Sequence, residues 1–283
     1  MNGSDFTHRV CEAYSKIENP RVNALVQSLI KHLHAYVQEN SLTEKEWEFT
    51  WDFLARMAKF THEERNEFLL AADVLGVSQL IEILNHHRPE SEVGYALVGP
   101  FYRENAPFRA RGAAIASDDT AGIRVKIYGK VIDDSTGKPI ANAVLDTWQA
   151  ATNGLYETQD PNQPDMNLRG KFKTDENGNY ELVALMPTPY PVPTDGPVGE
   201  LLKVAHRHPL RPAHIHFIVS ASNYETLITQ IFVSGDDIVK TDVVFTASDN
   251  MMGNFVKEND HYELQYDFQL TLGISTYPEA PIK

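Results

Sequence analysis

A chain of 283 residues with 42% hydrophobic content is long enough for one large domain or two small ones around a real core. Its formal charge of -14 and pI near 5.2 argue against nucleic acid as a partner, because an acidic surface repels a polyanion and no basic stripe overrides it. The single cysteine, Cys11, rules out an internal disulfide and a thiolate cluster, so any metal must sit on nitrogen and oxygen, and a reducing cytoplasm fits.

The stretch MNGSDFTHRV lacks a basic segment followed by an apolar run, and nowhere do about 18 apolar residues follow one another, so neither secretion nor a membrane span is expected. Val22, Leu25, Val26, Leu29, Ile30, Leu33, Tyr36 and Val37 recur at helical steps and predict an amphipathic helix. Thr43 followed by Glu46, and Thr61 followed by Glu64, are capping-box patterns that predict two more helix starts. The run EFLLAADVLG stops at Gly76, SQLIEILNHH reads as a short helix ending in His86 and His87, and Pro89 closes the helical part. This gives a helical region, residues 1–92.

From residue 93 to 283 short β-prone segments alternate with turn signals. Val125, Ile127, Gly129 and Val131 alternate with polar positions, DDSTGKP makes a turn, and Val144, Asp146 and Trp148 alternate again. Asn177-Gly178 is a hairpin signal, and RPAHIHFIVSA and LITQIFVSG read as strands. Strands without intervening long helices predict a mainly β domain, an antiparallel β-sandwich rather than a parallel βαβ sheet. The proline-rich segment 187–197 reads as a stiff loop.

In RPAHIHFIV, His214 and His216 share one strand face while Ile215 and Phe217 point to the other. Two imidazoles on one edge can hold a metal, although an isolated H-x-H is better explained as a hydrogen-bonded, half-buried pair. Further ligands must be oxygen. Tyr156 in NGLYETQD and Tyr190 in PTPYPVP stand where a packing role is not obvious, but most of the 12 tyrosines are packing residues. A phenol near pKa 10 ligates at neutral pH only to an acidic cation, which favours ferric iron over zinc or magnesium. The second H-x-H, His206 and His208 in VAHRHPL, is read as structural or exposed because Arg207 and Pro209 place it in a loop. HExxH, P-loop and GxGxxG patterns are absent, which removes the common zinc-protease and nucleotide-binding readings.

GPFY at 99–102, NGLY at 153–156, PYPVPTDGPVGELL at 189–202, RPAHIHF at 211–217 and TQIFVSGD at 229–236 together resemble the intradiol ring-cleavage dioxygenases in order and spacing. The resemblance implies a β-sandwich catalytic domain and an amino-terminal α-helical dimerisation domain. Members of the family are homodimers through these helices and hold a phospholipid in an apolar tunnel there, which makes such a lipid a candidate ligand. It implies Tyr156, Tyr190, His214 and His216 as the ligands of one Fe(III) per subunit, and a catechol-type small molecule and O2 as substrates. Tyr190 would also act as a base by leaving the metal with a proton. Arg211 would stabilise charge developing on the ring, and Gln230 would assist by hydrogen bonding.

The segment PYPVPTDGPVGELL resembles hydroxyquinol 1,2-dioxygenases and fungal-type catechol enzymes more than bacterial catechol enzymes, which implies hydroxyquinol as substrate, opened to a 3-hydroxymuconate, with catechol or a chlorinated catechol as the alternative. Leu70 and Asp73 match a pair at the pocket mouth, where the acid would accept a hydrogen bond from a third ring hydroxyl. Val98, Gly99, Pro100, Phe101, Val192, Pro193 and Val244 match the remaining wall. Two departures, Leu97-Val98 where a phenylalanine usually precedes the glycine and SGDDIVKTD in place of a Gly-Asp-Pro-Tyr turn, imply a wider pocket. The competing classes are a non-catalytic binding module on the same sandwich and an extradiol oxygenase, the latter marked by a yellow product and ferrous dependence.

Overall fold

Residues 3–62, 65–86, 88–89 and 92–281 are described by the computed structural model, and the chain divides into two units, Met1–Ala58 and Lys59–Lys283. In the first unit α1 (Gly3–Ala13) packs along α2 (Pro20–Glu39). The Gln27 amide donates to the Cys11 carbonyl at 2.7 Å, and the Phe6 ring stacks on His34. Asn19 starts α2 by accepting from the Arg21 and Val22 amides, with Pro20 in the first turn where a missing N–H costs nothing. Much of the predicted stripe on α2, including Leu25, Leu29 and Leu33, is exposed. The Thr43–Glu46 capping box is formed in both directions, at 2.8 and 3.3 Å, and opens α3 (Glu44–Phe60).

The second predicted capping box includes Glu64, which lies outside the described residues, as does His87. The next helix, α4 (Glu67–Val74), is capped by Asn66, whose side chain accepts from the Phe68 and Leu69 amides. The start is therefore later than Thr61, whose hydroxyl accepts from the Glu67 amide instead. Gly76, at φ +74, separates α4 from α5 (Val77–Asn85).

Two five-stranded sheets and a two-stranded ribbon follow. The first sheet centres on β1 (Arg124–Asp133), with β4 (Asn179–Leu185) antiparallel on one side. On the other side β11 (His261–Gln265) and β12 (Phe268–Leu270) run parallel to it, and β10 (Val256–Glu258) pairs with β11. The second sheet has the order β3 (Arg169–Lys173), β2 (Val144–Trp148), β7 (His214–Ser220), β8 (Leu227–Val233), β9 (Met252–Gly253). Its β8–β9 pair is also parallel. The sheets are thus mixed and not purely antiparallel. A strand that returns after a long excursion, as β9, β11 and β12 do, is free of the reversal that a tight hairpin imposes.

Asn177-Gly178 also differs from a hairpin. Its turn is closed by Asp175, whose carboxylate accepts from the Asn177 and Asn179 amides, yet β3 before it and β4 after it belong to different sheets. The turn is a corner between layers. The proline-rich segment is not wholly a loop: β5 (Tyr190–Pro191) pairs with β6 (Leu210–Arg211), and α6 (Pro197–Val204) follows. Proline is tolerated in so short an edge pairing, and Pro197 at the first helical turn is a start signal.

The core lies between the two five-stranded sheets. Val125, Ile127, Leu182 and Phe268 from the first meet Leu145, Ile215, Phe217, Val219 and Ile231 from the second, all essentially inaccessible. The Phe217 and Phe268 rings are 5.2 Å apart across this interface. Burial of side chains of this size contributes about 1.5–3 kcal/mol each. Strand alternation then turns His214, His216, Trp148, Arg169 and Gln230 to the opposite, outer face of the second sheet.

Candidate active site

Across that outer face the register sets Arg169, Trp148, His216 and Gln230 side by side on β3, β2, β7 and β8. The Trp148 indole lies flat on the His216 imidazole, with centroids 4.6 Å apart and planes 9° from parallel. His214, one pleat along, faces Phe232. Loops cover the row: residues 149–168 bring in Tyr156, and β5 brings in Tyr190, which pairs with Arg211. Gly154 of NGLY, at φ +82, is where this loop meets the β5 backbone; a Cβ there would lie 3.0 Å from that of Tyr190.

Four polar atoms converge at the centre. Tyr156 Oη lies 3.0 Å from Tyr190 Oη and 3.1 Å from His216 Nε2; His214 Nε2 lies 3.3 Å from Tyr190 Oη and 3.1 Å from His216 Nε2. These separations match donors that share one ion at bonds of about 2 Å. Among the described residues no group of three or more His, Cys, Asp or Glu side chains is placed to hold a metal, so a metal reading depends on the two phenols. His214 Nδ1–H donates to the Pro212 carbonyl at 2.7 Å, which leaves the Nε2 lone pair for the centre. His216 Nδ1 is buried without a hydrogen-bond partner, and stacking on Trp148 is what orients its ring.

Burial, then the Arg211 charge, lowers His214 to about 3, and burial also holds His216 well below the usual imidazole range. Burial raises Tyr156 and Tyr190, while Arg211 pulls Tyr190 back down. Without a cation the centre therefore holds two neutral imidazoles and two neutral phenols. The imidazoles are ready ligands; the phenols become so only for an ion acidic enough to displace their protons.

Arg211 is buried beside this cluster, with Nη1 3.4 Å from His214 Nε2. Its Nη2 donates to Gln230 Oε1 at 2.9 Å, and Gln230 Nε2 donates to the Leu97 carbonyl at 2.9 Å. Gln230 is fully buried rather than solvated. The structure thus brings together Tyr156, Tyr190, His214, His216, Arg211 and Gln230.

The wall residues divide. Phe101 stacks on Tyr156 at 4.4 Å, and Val98 packs against the cluster containing Tyr156, Tyr190 and Trp148. Gly99, at φ +76, lies against the His216 ring, which a Cβ would approach to 3.3 Å. Val192 and Val244 are buried, whereas Pro100 and Pro193 are exposed. Leu70 and Asp73 are part-buried on α4. Burial raises the Asp73 carboxyl, opposed by a hydrogen bond from Ser78 and the Arg211 charge.

Three contributors escaped the sequence reading. Trp148 was legible only as a strand residue. Glu157, next to Tyr156, makes a buried bidentate pair with Arg169 at 2.6 and 2.8 Å and a 2.9 Å pair with Arg103, which ties the Tyr156 loop to β3. Asp242 holds Arg211 through two 3.2 Å bonds. Only a charged residue beside a proposed ligand hinted at Glu157; nothing local marked Asp242.

A family profile described as "Dioxygenase" matches residues 97–272, and one described as "Catechol dioxygenase N terminus" matches residues 19–92. The 6-chlorohydroxyquinol 1,2-dioxygenase of Cupriavidus pinatubonensis is 38% identical over 94% of this chain and 96% of its own length. The hydroxyquinol 1,2-dioxygenase of a Rhizobium species is 39% identical over 88% of this chain and 84% of its own. The crystal structure of hydroxyquinol 1,2-dioxygenase from Pseudomonas putida DLL-E4 superposes with a TM-score of 0.90 at 36% identity, covering 95% of this chain and 98% of that one. The outer-face site thus sits in a chain that belongs to the intradiol ring-cleavage dioxygenase family.

Proposed function

We propose that this enzyme uses one Fe(III) per subunit, held by Tyr156, Tyr190, His214 and His216, to cleave hydroxyquinol between its two adjacent hydroxyl-bearing carbons. The observation that carries the metal reading is the convergence of two phenol oxygens and two imidazole nitrogens within 3.0–3.3 Å. When bound, ferric iron supplies the Lewis acidity that ionises phenols and activates the bound diol toward dioxygen, both of whose atoms end in the two carboxyl groups of the product.

The chain's own groups do the rest. Tyr190, beside Arg211, would be held as a phenolate by the bound metal, and its Oη would then take the proton that a substrate hydroxyl gives up. Arg211 places a fixed cation where negative charge grows on the ring, in a buried setting where that charge is poorly screened. Gln230 holds one corner of the guanidinium through a single hydrogen bond at Nη2. Phe101, Val192 and Val244 exclude water from the ring. Asp73 takes the third hydroxyl, and its part-buried carboxyl near Arg211 is what favours hydroxyquinol over catechol. The relatives named for hydroxyquinol and 6-chlorohydroxyquinol support the same choice, including a substituted ring.

An oxygen electrode with hydroxyquinol, catechol and chlorocatechols, read together with product spectra, tests the reading. Uptake is expected with hydroxyquinol first and a muconate-type product; no uptake with any diol, or a yellow ring-fission product, rejects it. Loss of one charged hydrogen bond costs about 1.5–3 kcal/mol, so Asp73→Leu should lower the hydroxyquinol-to-catechol kcat/KM ratio about 10-fold or more.

The helical residues 1–92 form the dimerisation region in this reading, supported by the exposed apolar row on α2 at Leu25, Leu29 and Leu33. A phospholipid is a candidate occupant there. Sedimentation and lipid extraction from purified protein check both points. No described helix is long and apolar enough to cross a membrane.

A further inference from the structure

Resting on the role just given to Arg211, we infer that Asp242 is the positioning residue that aims this arginine and locks it to the pocket wall. Its carboxylate is buried and serves five donors. Oδ1 accepts from Arg211 Nε at 3.2 Å and from the Val244 amide at 3.3 Å. Oδ2 accepts from Arg211 Nη2 at 3.2 Å, from the Thr246 amide at 3.0 Å and from the Ala247 amide at 3.2 Å. The two bonds to one guanidinium edge form a planar fork that fixes its rotation and leaves Nη1 directed at His214 Nε2. Gln230 alone, with a single bond to Nη2, would leave that rotation free.

The backbone half of the same carboxylate organises residues 244–247. This segment supplies the buried Val244 and contains Phe245 at φ +61, a conformation that a bulky side chain adopts only when its surroundings impose it. Arg207, from the second H-x-H segment, extends the linkage. Its Nη1 donates to the Val74 carbonyl at 2.9 Å and its Nη2 to the Asp242 and Val243 carbonyls at 3.3 and 3.1 Å. Its guanidinium lies 4.3 Å from the Phe245 ring centroid. The end of α4, which carries Asp73, and the wall at Val244 are therefore tied to one segment, and Asp242 joins that segment to Arg211. The acidic stretch SGDDIVKTD, which stands in place of a Gly-Asp-Pro-Tyr turn, ends in this carboxylate.

A double-mutant cycle tests the inference: wild type, Asp242→Asn, Arg211→Ala and the double variant, each assayed for iron content, visible colour, kcat and KM. The thermal unfolding of the iron-free proteins is recorded in parallel. Asp242→Asn is expected to keep iron and colour, because the four donors are untouched, and to lose about 100-fold in kcat/KM, the scale of a displacement of about 1 Å in a reacting geometry. In the Arg211→Ala background the same change should cost less than about 3-fold, and the two shifts in melting temperature should be non-additive. Asp242→Asn activity within twofold of wild type overturns the inference, as does an equal loss in both backgrounds or additive melting shifts. If Asp242→Asn does not fold, Asp242→Glu, which keeps the charge but moves it by one methylene, is read in the same cycle against the same limits. A wild-type protein inert toward every diol fails the proposed function along with the catalytic half of this inference; an active wild type with an unaffected Asp242 variant fails the inference alone.

Discussion

Replacement of Glu157 by glutamine isolates what holds the Tyr156 loop in place. The carboxylate and Arg169 are buried to 2% and 1% side-chain exposure and meet through two bonds of 2.6 and 2.8 Å, with Arg103 adding a third at 2.9 Å. Arg169 Nη1 is already buried without a hydrogen-bond partner, so the loss of the Glu157 charge would leave this guanidinium with fewer of its needs met. Breaking such a pair from one side costs about 3–5 kcal/mol, because a desolvated charge is left uncompensated. Glutamine keeps one acceptor, which sets the expectation at the lower end, about 3 kcal/mol. At about 2–4 °C per kcal/mol for a unit of this size, the melting temperature should fall by about 6–12 °C. Circular dichroism melts of the iron-free protein in low and 1 M salt measure it, and the shift should persist in salt because a buried pair is poorly screened. The reddish phenolate-to-iron colour should weaken in parallel, since Tyr156 is the adjacent residue. A shift below about 2 °C, or one abolished by salt, would show that the pair is not what anchors this loop.

Three further outcomes follow from the geometry. Tyr156→Phe should abolish the colour and ring cleavage together while lowering stability by only about 1 kcal/mol, the net worth of the hydrogen bonds lost; colour retained with activity excludes Tyr156 as a ligand. Burial raises Asp146 to about 6, above the unfolded value of about 3.9, so the folded state penalises its carboxylate above that pH and the penalty is gone below about pH 4. Asp146→Asn should therefore raise the melting temperature at pH 7.5, by up to about 3 kcal/mol of stability, and give no gain at pH 4; the reverse order of these effects contradicts the assignment. Gly99→Ala forces a Cβ to 3.3 Å from the His216 ring at φ +76, so it should cost about 1–2 kcal/mol and lower iron content, and a fully iron-loaded variant of wild-type stability would show that the contact is slack.

Local signals carried much of this molecule. The α2 periodicity, the Thr43–Glu46 box and the alternation in RPAHIHFIV are short-range patterns, and the helix, the cap and the two faces of β7 are all present. The ordered motifs named Tyr156, Tyr190, His214 and His216, which the structure gathers at one point. What escaped depends on residues distant in the chain. The parallel pairing of β11 and β12 with β1 is decided by a long return, not by a turn. Asn177-Gly178 looks like any hairpin turn because the divergence of β3 and β4 happens beyond it. Asp242 and Glu157 reach the site through arginines 31 and 12 residues away, and a charge in isolation does not announce its partner.

The alternation along β7 has a consequence for tolerance to change. A slip of one residue against β2 or β8 would drive both histidines into the sandwich and expel Ile215 and Phe217 to the donor face, so the apolar side enforces the spacing of the polar side. The placement of the two imidazoles is thus inherited from hydrophobic packing on the other face of β7. That packing fixes only the floor: the covering segments that carry Tyr156 and Tyr190 need anchors of their own, the Glu157–Arg169 pair and the β5–β6 pairing among them.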